Sequence, residues 1–358
     1  MELGGGLQKR SFSQIDLSDP FFDSLKDDYK EFADWFGRKR DNEAYVAMTE
    51  TGALDGFLYL KQENGAVDDI DPPLPAANRV KIGTFKINPH GTRLGERFLK
   101  KAFDYALHIG AAELYVTVFE RHKVLCQLFA RYGFCNAATK KSSNGEEVVL
   151  HRVLRQFTGD VVADYPAIPV QRDRHFLLAI KPEWHSRLLP DSLLATEHTS
   201  IIEDVSHSNS IHKLYLTAMR EVADFKRGDT VVVYRTTDFK GPAYRRSVVT
   251  SICVVEEIKN IGEFSHADDF LKYAEPYSVF TRDELMNFFR TRKWPLLLRF
   301  TYNLALKRRV NRAQLIEDVG IDSNVRWGCL SLSSKQFARI LKLSGDYESA
   351  LINKTAFR

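Results

Sequence analysis

No run of about 18 consecutive apolar residues occurs in the 358-residue chain, so no segment reads as a membrane-spanning helix. The opening residues, MELGGGLQKRSFSQ, have no apolar core of the kind that directs secretion. Cysteine is scarce. Cys126, Cys135, Cys253 and Cys329 stand far apart, and they form neither a disulfide framework nor a CxxC metal pair. A cytoplasmic protein without a structural metal is the expectation. The patterns GxxxxGK[ST] and GxGxxG are both missing, which disfavours nucleotide hydrolysis and dinucleotide binding.

What is present is ordinary globular material, 44% hydrophobic and 27% charged, in a chain long enough for two cores. The net charge of +4 is unevenly placed. Residues 1–155 carry 22 basic and 22 acidic side chains, and residues 156–358 carry 29 and 25. Within 281–312 there are nine basic residues and two acidic ones, a run that reads as a solvated face or as a phosphate-binding surface.

Periodicity divides the chain further. A short strand over 9–18 precedes a helix that starts at Asp19-Pro20 and carries Phe22, Leu25, Tyr29, Phe32 and Phe36 on one face. Strands follow at 44–48, 56–61 and 80–87, with a polar, proline-containing loop expected over 63–78. Leu94, Phe98, Ala102, Tyr105, Ala106 and Ile109 mark a second helix, 114–119 a strand, and Val124 to Tyr132 a third helix closed by Gly133. A strand at 148–153 ends this half. Residues 156–174 look like a linker. The remainder restarts with strands at 176–180, 230–234, 248–258 and 296–306 and with short helices. One of these helices opens on a capping box, Thr281 with Glu284.

The segment that bears on chemistry is Lys81-Ile-Gly-Thr-Phe-Lys-Ile-Asn-Pro-His90-Gly-Thr-Arg-Leu-Gly95-Glu-Arg-Phe-Leu99. A strand stops at a proline, and a glycine-containing turn opens a basic helix whose first N–H groups have no intrahelical partner. Such an entrance binds phosphate oxygens. Gly95, without a Cβ, would let a diphosphate come close, and Arg93, Arg97, Lys100 and Lys101 add positive charge. The run His90-Gly-Thr-Arg-Leu-Gly95 resembles the pyrophosphate loop of the GNAT superfamily of acyl-CoA N-acyltransferases. Leu114–Val118 with Leu128-Phe-Ala-Arg-Tyr-Gly-Phe134 resembles its second motif, and the resemblance spans about 140 residues.

For residues 1–155 the resemblance implies an α/β GNAT fold, a mixed, splayed sheet flanked by helices. It also implies acetyl-CoA as co-substrate, with Phe85, Lys86 and Ile87 along its pantetheine arm and Arg93, Leu94, Gly95, Glu96 and Arg97 at its pyrophosphate. Two departures stand out. The tyrosine that often protonates the leaving thiolate maps to Phe129, and the asparagine that often begins that helix maps to His122. His122 has the intrinsic pKa a general base needs and is the candidate catalytic residue, with a helix-capping role as the alternative. Thr84, Lys86 and Tyr115, on flanking strands, rank behind it.

Residues 175–358 resemble, through shorter motifs, the PUA-like domains of the ASCH and EVE type. These motifs are Lys181-Pro182 after the opening strand, Arg227-Gly-Asp-Thr-Val-Val-Val-Tyr-Arg235, and Leu332-Ser-Ser-Lys-Gln-Phe-Ala-Arg-Ile-Leu341. The resemblance implies an α+β unit, a bent sheet or barrel with short helices, and an association with RNA. Lys181, Trp184, His212, Tyr234, Arg235, Arg308, Arg309 and Arg312 are the candidate nucleic-acid contacts. Together the halves suggest acetyl transfer to an amine on RNA, on aminoacyl-tRNA or on an RNA-associated protein. The alternatives are a protein acetyltransferase whose barrel is a partner interface, and a non-enzymatic acyl-CoA-binding regulator. The sequence does not fix the oligomeric state.

Overall fold

The computed structural model describes residues 7–88, 93–168, 174–189, 211–238 and 241–347. The chain forms two compact units, Met1–Gln156 and Phe157–Arg358. Residues 157–168, expected as linker, belong to the second unit. Val161, Val162, Tyr165, Ala167 and Ile168 are buried there, and Asn303 Nδ2 donates to the carbonyls of Pro166 and Ala167.

The first unit runs β1(Gln8–Ser11), α1(Asp23–Asp28), α2(Phe32–Arg38), β2(Glu43–Met48), β3(Leu54–Val67), β4(Leu74–Ile87), α3(Leu94–His108), β5(Glu113–Val118), α4(Lys123–Arg131), β6(Cys135–Ser142) and β7(Gly145–Val153). Its seven strands form one mixed sheet in the order β1-β2-β3-β4-β5-β7-β6. The single helix expected from Asp19 is broken. Its apolar spacing survives on a 3₁₀ turn plus α1 and α2, but Tyr29 is extended between the helices and its hydroxyl donates to Glu147, 2.6 Å away. Phe22, Phe32 and Phe36 still reach one core with Phe12 and Phe57.

The loop expected over 63–78 is mostly strand, because β3 and β4 continue as a long hairpin. At the other end of that hairpin α3 lies directly on the sheet. A Cβ on Gly56 would come within 2.7 Å of Phe98 and 2.8 Å of Leu94, so only glycine permits this approach. Gly133 ends α4 with φ at 78°, the left-handed conformation that closes a helix without strain on glycine.

The second unit contains β8(His175–Ile180), α5(Pro182–Leu188), β9(His212–Thr217), β10(Thr230–Arg235), α6(Ala243–Arg246), β11(Val248–Asn260), α7(Ala267–Ala274), α8(Arg282–Thr291), β12(Leu296–Asn311), α9(Arg312–Glu317), β13(Cys329–Leu332) and α10(Ser334–Ser344). Six strands pair in the order β13-β8-β10-β11-β12-β9, with β8 and β10 parallel. Helices α9 and α10 pack on one face of this sheet through Leu315, Phe337, Ile340 and Leu341. Helices α7 and α8 contribute Phe270, Leu271, Leu285 and Phe288 to a separate core with β9 and β12. The capping box at Thr281 is present, with Glu284 N–H donating to Thr281 Oγ1 at 3.2 Å.

Candidate active site and basic pole

Strands β4 and β5 are parallel neighbours for four rungs only, Arg79–Ile82 against Glu113–Val116. Beyond them β4 stays with β3 through Ile87, and β5 stays with β7 through Val118. The two strands therefore part, leaving the edge of Gly83–Ile87 without a strand on that side. Helix α1 joins the parted ends. On one side Lys86 Nζ donates to Ser24 Oγ, and on the other Asp28 receives both Arg121 and His122.

His122 precedes α4, and its ring makes no capping bond to that helix. Its Nε2–H donates instead to Asp28 Oδ2 at 2.8 Å, while Arg121 Nη2 donates to Oδ1 at 2.6 Å. Burial alone would raise the Asp28 pKa, but the hydrogen bonds from Arg121 and His122 outweigh it and hold the carboxylate below its usual value. With Nε2 protonated toward Asp28, the free lone pair of the neutral ring is on Nδ1. Sequence reasoning missed Asp28, which lies 94 residues from its partner.

Phe129 is fully buried, 5.3 Å from Phe85 and 5.0 Å from Phe134 between ring centroids. It is core, and no proton donor stands there. Phe85 itself is buried against Phe98 and Phe129, whereas Lys86 and Ile87 are half-buried.

The entrance of α3 departs from expectation in two ways. Gly95 does not lie open to a ligand on its Cβ side, where an added carbon would meet Leu128 Cδ2 at 2.8 Å and Ile87 Cδ1 at 3.3 Å. Its smallness serves packing between α3, α4 and β4. Gly95→Asp is accordingly expected to lower the melting temperature of the first unit, since it sets a carboxylate against two apolar side chains. An unchanged melting temperature would return Gly95 to the open side. The positive charge is also largely answered within the chain. Arg93 and Arg131 both donate to buried Glu96, at 3.0 and 3.1 Å, and Lys100 donates to Asp104 at 2.8 Å. Arg97 is buried. What remains for a ligand is the backbone. Among the described residues Arg97 N–H makes the first backbone bond of the helix, to Arg93 O, and the Arg93 side chain makes no capping bond. His90 and Gly91 lie outside the described residues.

In the second unit the eight candidates do not form one group. His212 pairs with Thr301, Thr301 with Val254 and Val254 with Thr230, which is the end of β10 opposite Arg235. There it is buried and bonded to Glu256, so it is structural. Trp184 is half-buried and packs against Phe280 and Trp294, at 4.9 and 6.1 Å, with Arg187 5.5 Å over its ring. Tyr234 is buried beside Trp327, with Arg312 over the same indole at 4.5 Å.

Lys181, Tyr234, Arg235, Arg308, Arg309 and Arg312 do share one end of the sheet, where Ile180 pairs with Arg235, Arg235 with Val248 and Val248 with Asn311. The basic run 281–312 is not one surface. Arg282 is held by Glu275, Arg292 by the carbonyl of Ile261, and Arg299 by Glu256 and Glu257. Only Lys307 to Arg312 belong to the pole.

Among the described residues no helix is long and apolar enough to cross a membrane, and no group of three His, Cys, Asp or Glu could hold a metal ion. No protein-family model matches the chain, and no curated protein matches it. It is similar to several solved structures. One is an ASCH protein from Zymomonas mobilis, at 10% identity over 48% of this chain and 96% of that one, with a TM-score of 0.32. Another is a GNAT family acetyltransferase from Elizabethkingia anophelis with acetyl-CoA bound, at 14% identity over 42% and 97%, TM-score 0.32. An IAA acetyltransferase from Bacillus cereus gives 14% identity over 42% and 99%, TM-score 0.32. These are the two families that the sequence resembles, and scores this low carry nothing about activity.

Proposed function

We propose that the first unit transfers an acetyl group from acetyl-CoA to an amine, and that the second unit holds the RNA, aminoacyl-tRNA or RNA-associated protein bearing that amine. The parting of β4 and β5 after four shared rungs carries this reading. It supplies a strand edge, Phe85–Ile87, against which an extended amide-bearing arm can pair, and β4 leads on to α3, whose first N–H groups have no intrahelical partner. When bound, acetyl-CoA would supply the activated acyl group, its C–S bond breaking as the amide C–N bond forms, with CoA leaving as a thiolate that takes its proton from solvent because buried Phe129 offers none. The chain's own residues do the rest. Backbone donors beside Phe85–Ile87 hold the acyl oxygen, and the cleft aligns the amine. Nδ1 of His122 takes the amine proton while Asp28 and Arg121 fix the ring and its carboxylate partner. Radiolabel from acetyl-CoA should pass into cell extract, and the label should fall to nuclease or to protease according to the acceptor. No incorporation into any fraction would remove the reading.

For the second unit the support is the basic pole, with Lys181, Lys307 and Arg308 exposed and Arg309 and Arg312 half-buried beside them. The full chain should bind single-stranded RNA with an affinity that falls steeply as salt rises. Four phosphate contacts give a log–log slope of about −3. Exchanging exposed Lys307 and Arg308 for Glu should flatten that slope by about 1 to 1.5 without lowering the melting temperature. Salt-independent binding, or none at low salt, would leave this pole without an RNA role.

A further inference from the structure

On the first sheet a group of lysines gathers just below the parting of β4 and β5. The two strands share their last rung at Ile82 and Val116. Lys81 stands one rung before it, paired with Tyr115 on β5 and with Lys61 on β3. Tyr59, two residues before Lys61, packs on Trp35 of α2 with ring centroids 5.8 Å apart, so Lys61 and Lys81 face the side of α1 and α2. Beyond β3 the chain lies over Tyr115, where Val67 and Ile70 share a core with Ala138 of β6. Asp71 then bridges Thr139 through two backbone bonds of 2.8 Å. That bridge brings Asp69 and Lys140 to the same face, with Nζ donating to the carboxylate at 2.5 Å.

Both carboxylates of this group are engaged elsewhere. Glu63 accepts from Lys61 Nζ at 2.8 Å and from the Tyr115 hydroxyl at 2.5 Å, and Asp69 accepts from Lys140. Lys81 has no hydrogen bond or ion pair among the described residues, and its Nζ lies 5.4 Å from the centre of the Tyr115 ring. Three cations thus stand against two carboxylates, and Lys81 is the one without a contact. An ammonium drawn partly out of water with no counter-ion costs free energy. Burial first, and then the charge of Lys140, lower the Lys81 pKa, while Glu63 and Asp69 act on it only from a distance. Solvent reaches this place. Lys81 and Thr117 are half-buried, Gly83 is exposed, and the side chains of Lys61 and Lys140 are 50% and 22% exposed.

We infer that Lys81 binds a phosphate group of the acceptor, with Lys61 and Lys140 as flanking charges, and that the amine acetylated in the cleft is carried by RNA. Position ties the two ends together. Lys81 is at the foot of the free edge 83–87, and Thr84 and Thr117 are the next residues on its face along either strand. Phosphate is the anion that fits. Lysine meets phosphate as a point charge, whereas a planar carboxylate is best held by the fork of an arginine. The arginine on this face of β4, Arg79, already donates to Glu113. This role presupposes acetyl transfer by the first unit, and its surface is distinct from the basic pole of the second.

Lys81→Met keeps the apolar stem beside Tyr115 and deletes the charge. The variant is expected to raise the KM for an RNA acceptor about tenfold and to leave kcat near wild type at saturation, because a contact made equally in ground and transition states is lost. Lys81→Arg keeps the charge and should restore most of the KM. Acetyl-CoA affinity should be the same in all three proteins. The melting temperature of Lys81→Met should stay level or rise, since no ion pair is broken.

The first test needs no variant and no acetyl-CoA. The full wild-type chain is labelled with acetic anhydride, with and without a single-stranded oligoribonucleotide, and each lysine is read by mass spectrometry. Lys81 should lose most of its reactivity when the RNA is present, while Lys141, whose side chain is 80% exposed, keeps its own. Poly-glutamate should protect Lys81 far less, and equal protection by the two polymers would overturn the phosphate assignment. The second test follows radiolabel from acetyl-CoA into total RNA with wild type, Lys81→Met and Lys81→Arg, beside calorimetry of each protein with acetyl-CoA. A raised KM in Lys81→Met that Lys81→Arg restores supports the site. Wild type that binds acetyl-CoA and labels RNA, with neither protection of Lys81 nor a change of KM in Lys81→Met, overturns the site and leaves acetyl transfer standing. Label that falls to protease and not to nuclease overturns the RNA assignment. Wild type that binds no acetyl-CoA removes the transfer reading itself, and the acceptor role of Lys81 with it.

Discussion

His122→Ala is expected to lower the acetyl-transfer rate by about 10²- to 10⁴-fold, the range that a positioned general base contributes. Stability should hardly change. The side chain of His122 is 42% exposed and makes no bond to the helix that it precedes, so its removal opens no cavity. Asp28→Asn separates orientation from charge. The amide still meets the ring, but it can also donate, and it then favours the tautomer that puts the lone pair on Nε2 and the proton on Nδ1. The rate should fall by less than in His122→Ala, and the two losses should not add, because both residues act through one imidazole. Rates of the two single variants and the double variant make the cycle. Full additivity, or wild-type turnover in His122→Ala, would remove the dyad from the chemistry and leave His122 as a surface residue paired to a carboxylate.

Much of the framework was legible because its elements are locally encoded. Helix α3 carries Leu94, Phe98 and Ala102 at helical spacing, β5 is a short β-branched run, and Gly133 closes α4; each signal lies within a few residues of its consequence. The long β3–β4 hairpin was hidden because its outer rungs hold Lys61, Gln62, Asn64 and Pro75, which are mostly exposed and lack the apolar alternation of a half-buried strand. The first helix was overextended because the apolar spacing runs unbroken through Tyr29, while the turn there is fixed by a hydroxyl bond to Glu147, 118 residues away.

Site residues divide along the same line. The start of α3 at Leu94 is a local pattern and could be read; Asp28 beside His122 is a product of tertiary register and could not. The basic run misled for a related reason. Nine like charges are close in sequence, but β12 alone extends 16 residues, on the order of 50 Å, and carries its charges to different partners.

The largest expected loss of stability lies at the closed end of the cleft. Arg79 is fully buried on β4 and faces its rung partner Glu113 on β5, with Nε donating to Oε1 at 2.7 Å. Its other nitrogens donate to the carbonyls of Gly65, at 2.6 Å, and Pro75, and His151 Nε2 lies 3.0 Å from the second oxygen of Glu113. One guanidinium thus ties the long hairpin to the first of only four parallel rungs.

Arg79→Met keeps length and apolar bulk but leaves Glu113 buried without its cation and two carbonyls without a donor. Breaking one side of such a pair costs about 3–5 kcal/mol. Glu113→Gln should cost less, because an amide still accepts from Arg79 and carries no unpaired negative charge, although the arginine is then left with a neutral partner. Hydrogen exchange read on peptides from β4 and β5 isolates this part of the chain from the second unit. Protection should collapse over 79–82 and 113–116 in Arg79→Met, and the loss should spread to the cleft edge at 83–87, whose position depends on those rungs. Restoration of protection in Arg79→Met with Glu113→Leu would show that the single-variant cost came from the stranded carboxylate, as buried pairs exchanged for apolar residues often show. Wild-type protection in Arg79→Met alone would mean that the backbone ladder, and not this ion pair, sets where β4 and β5 part.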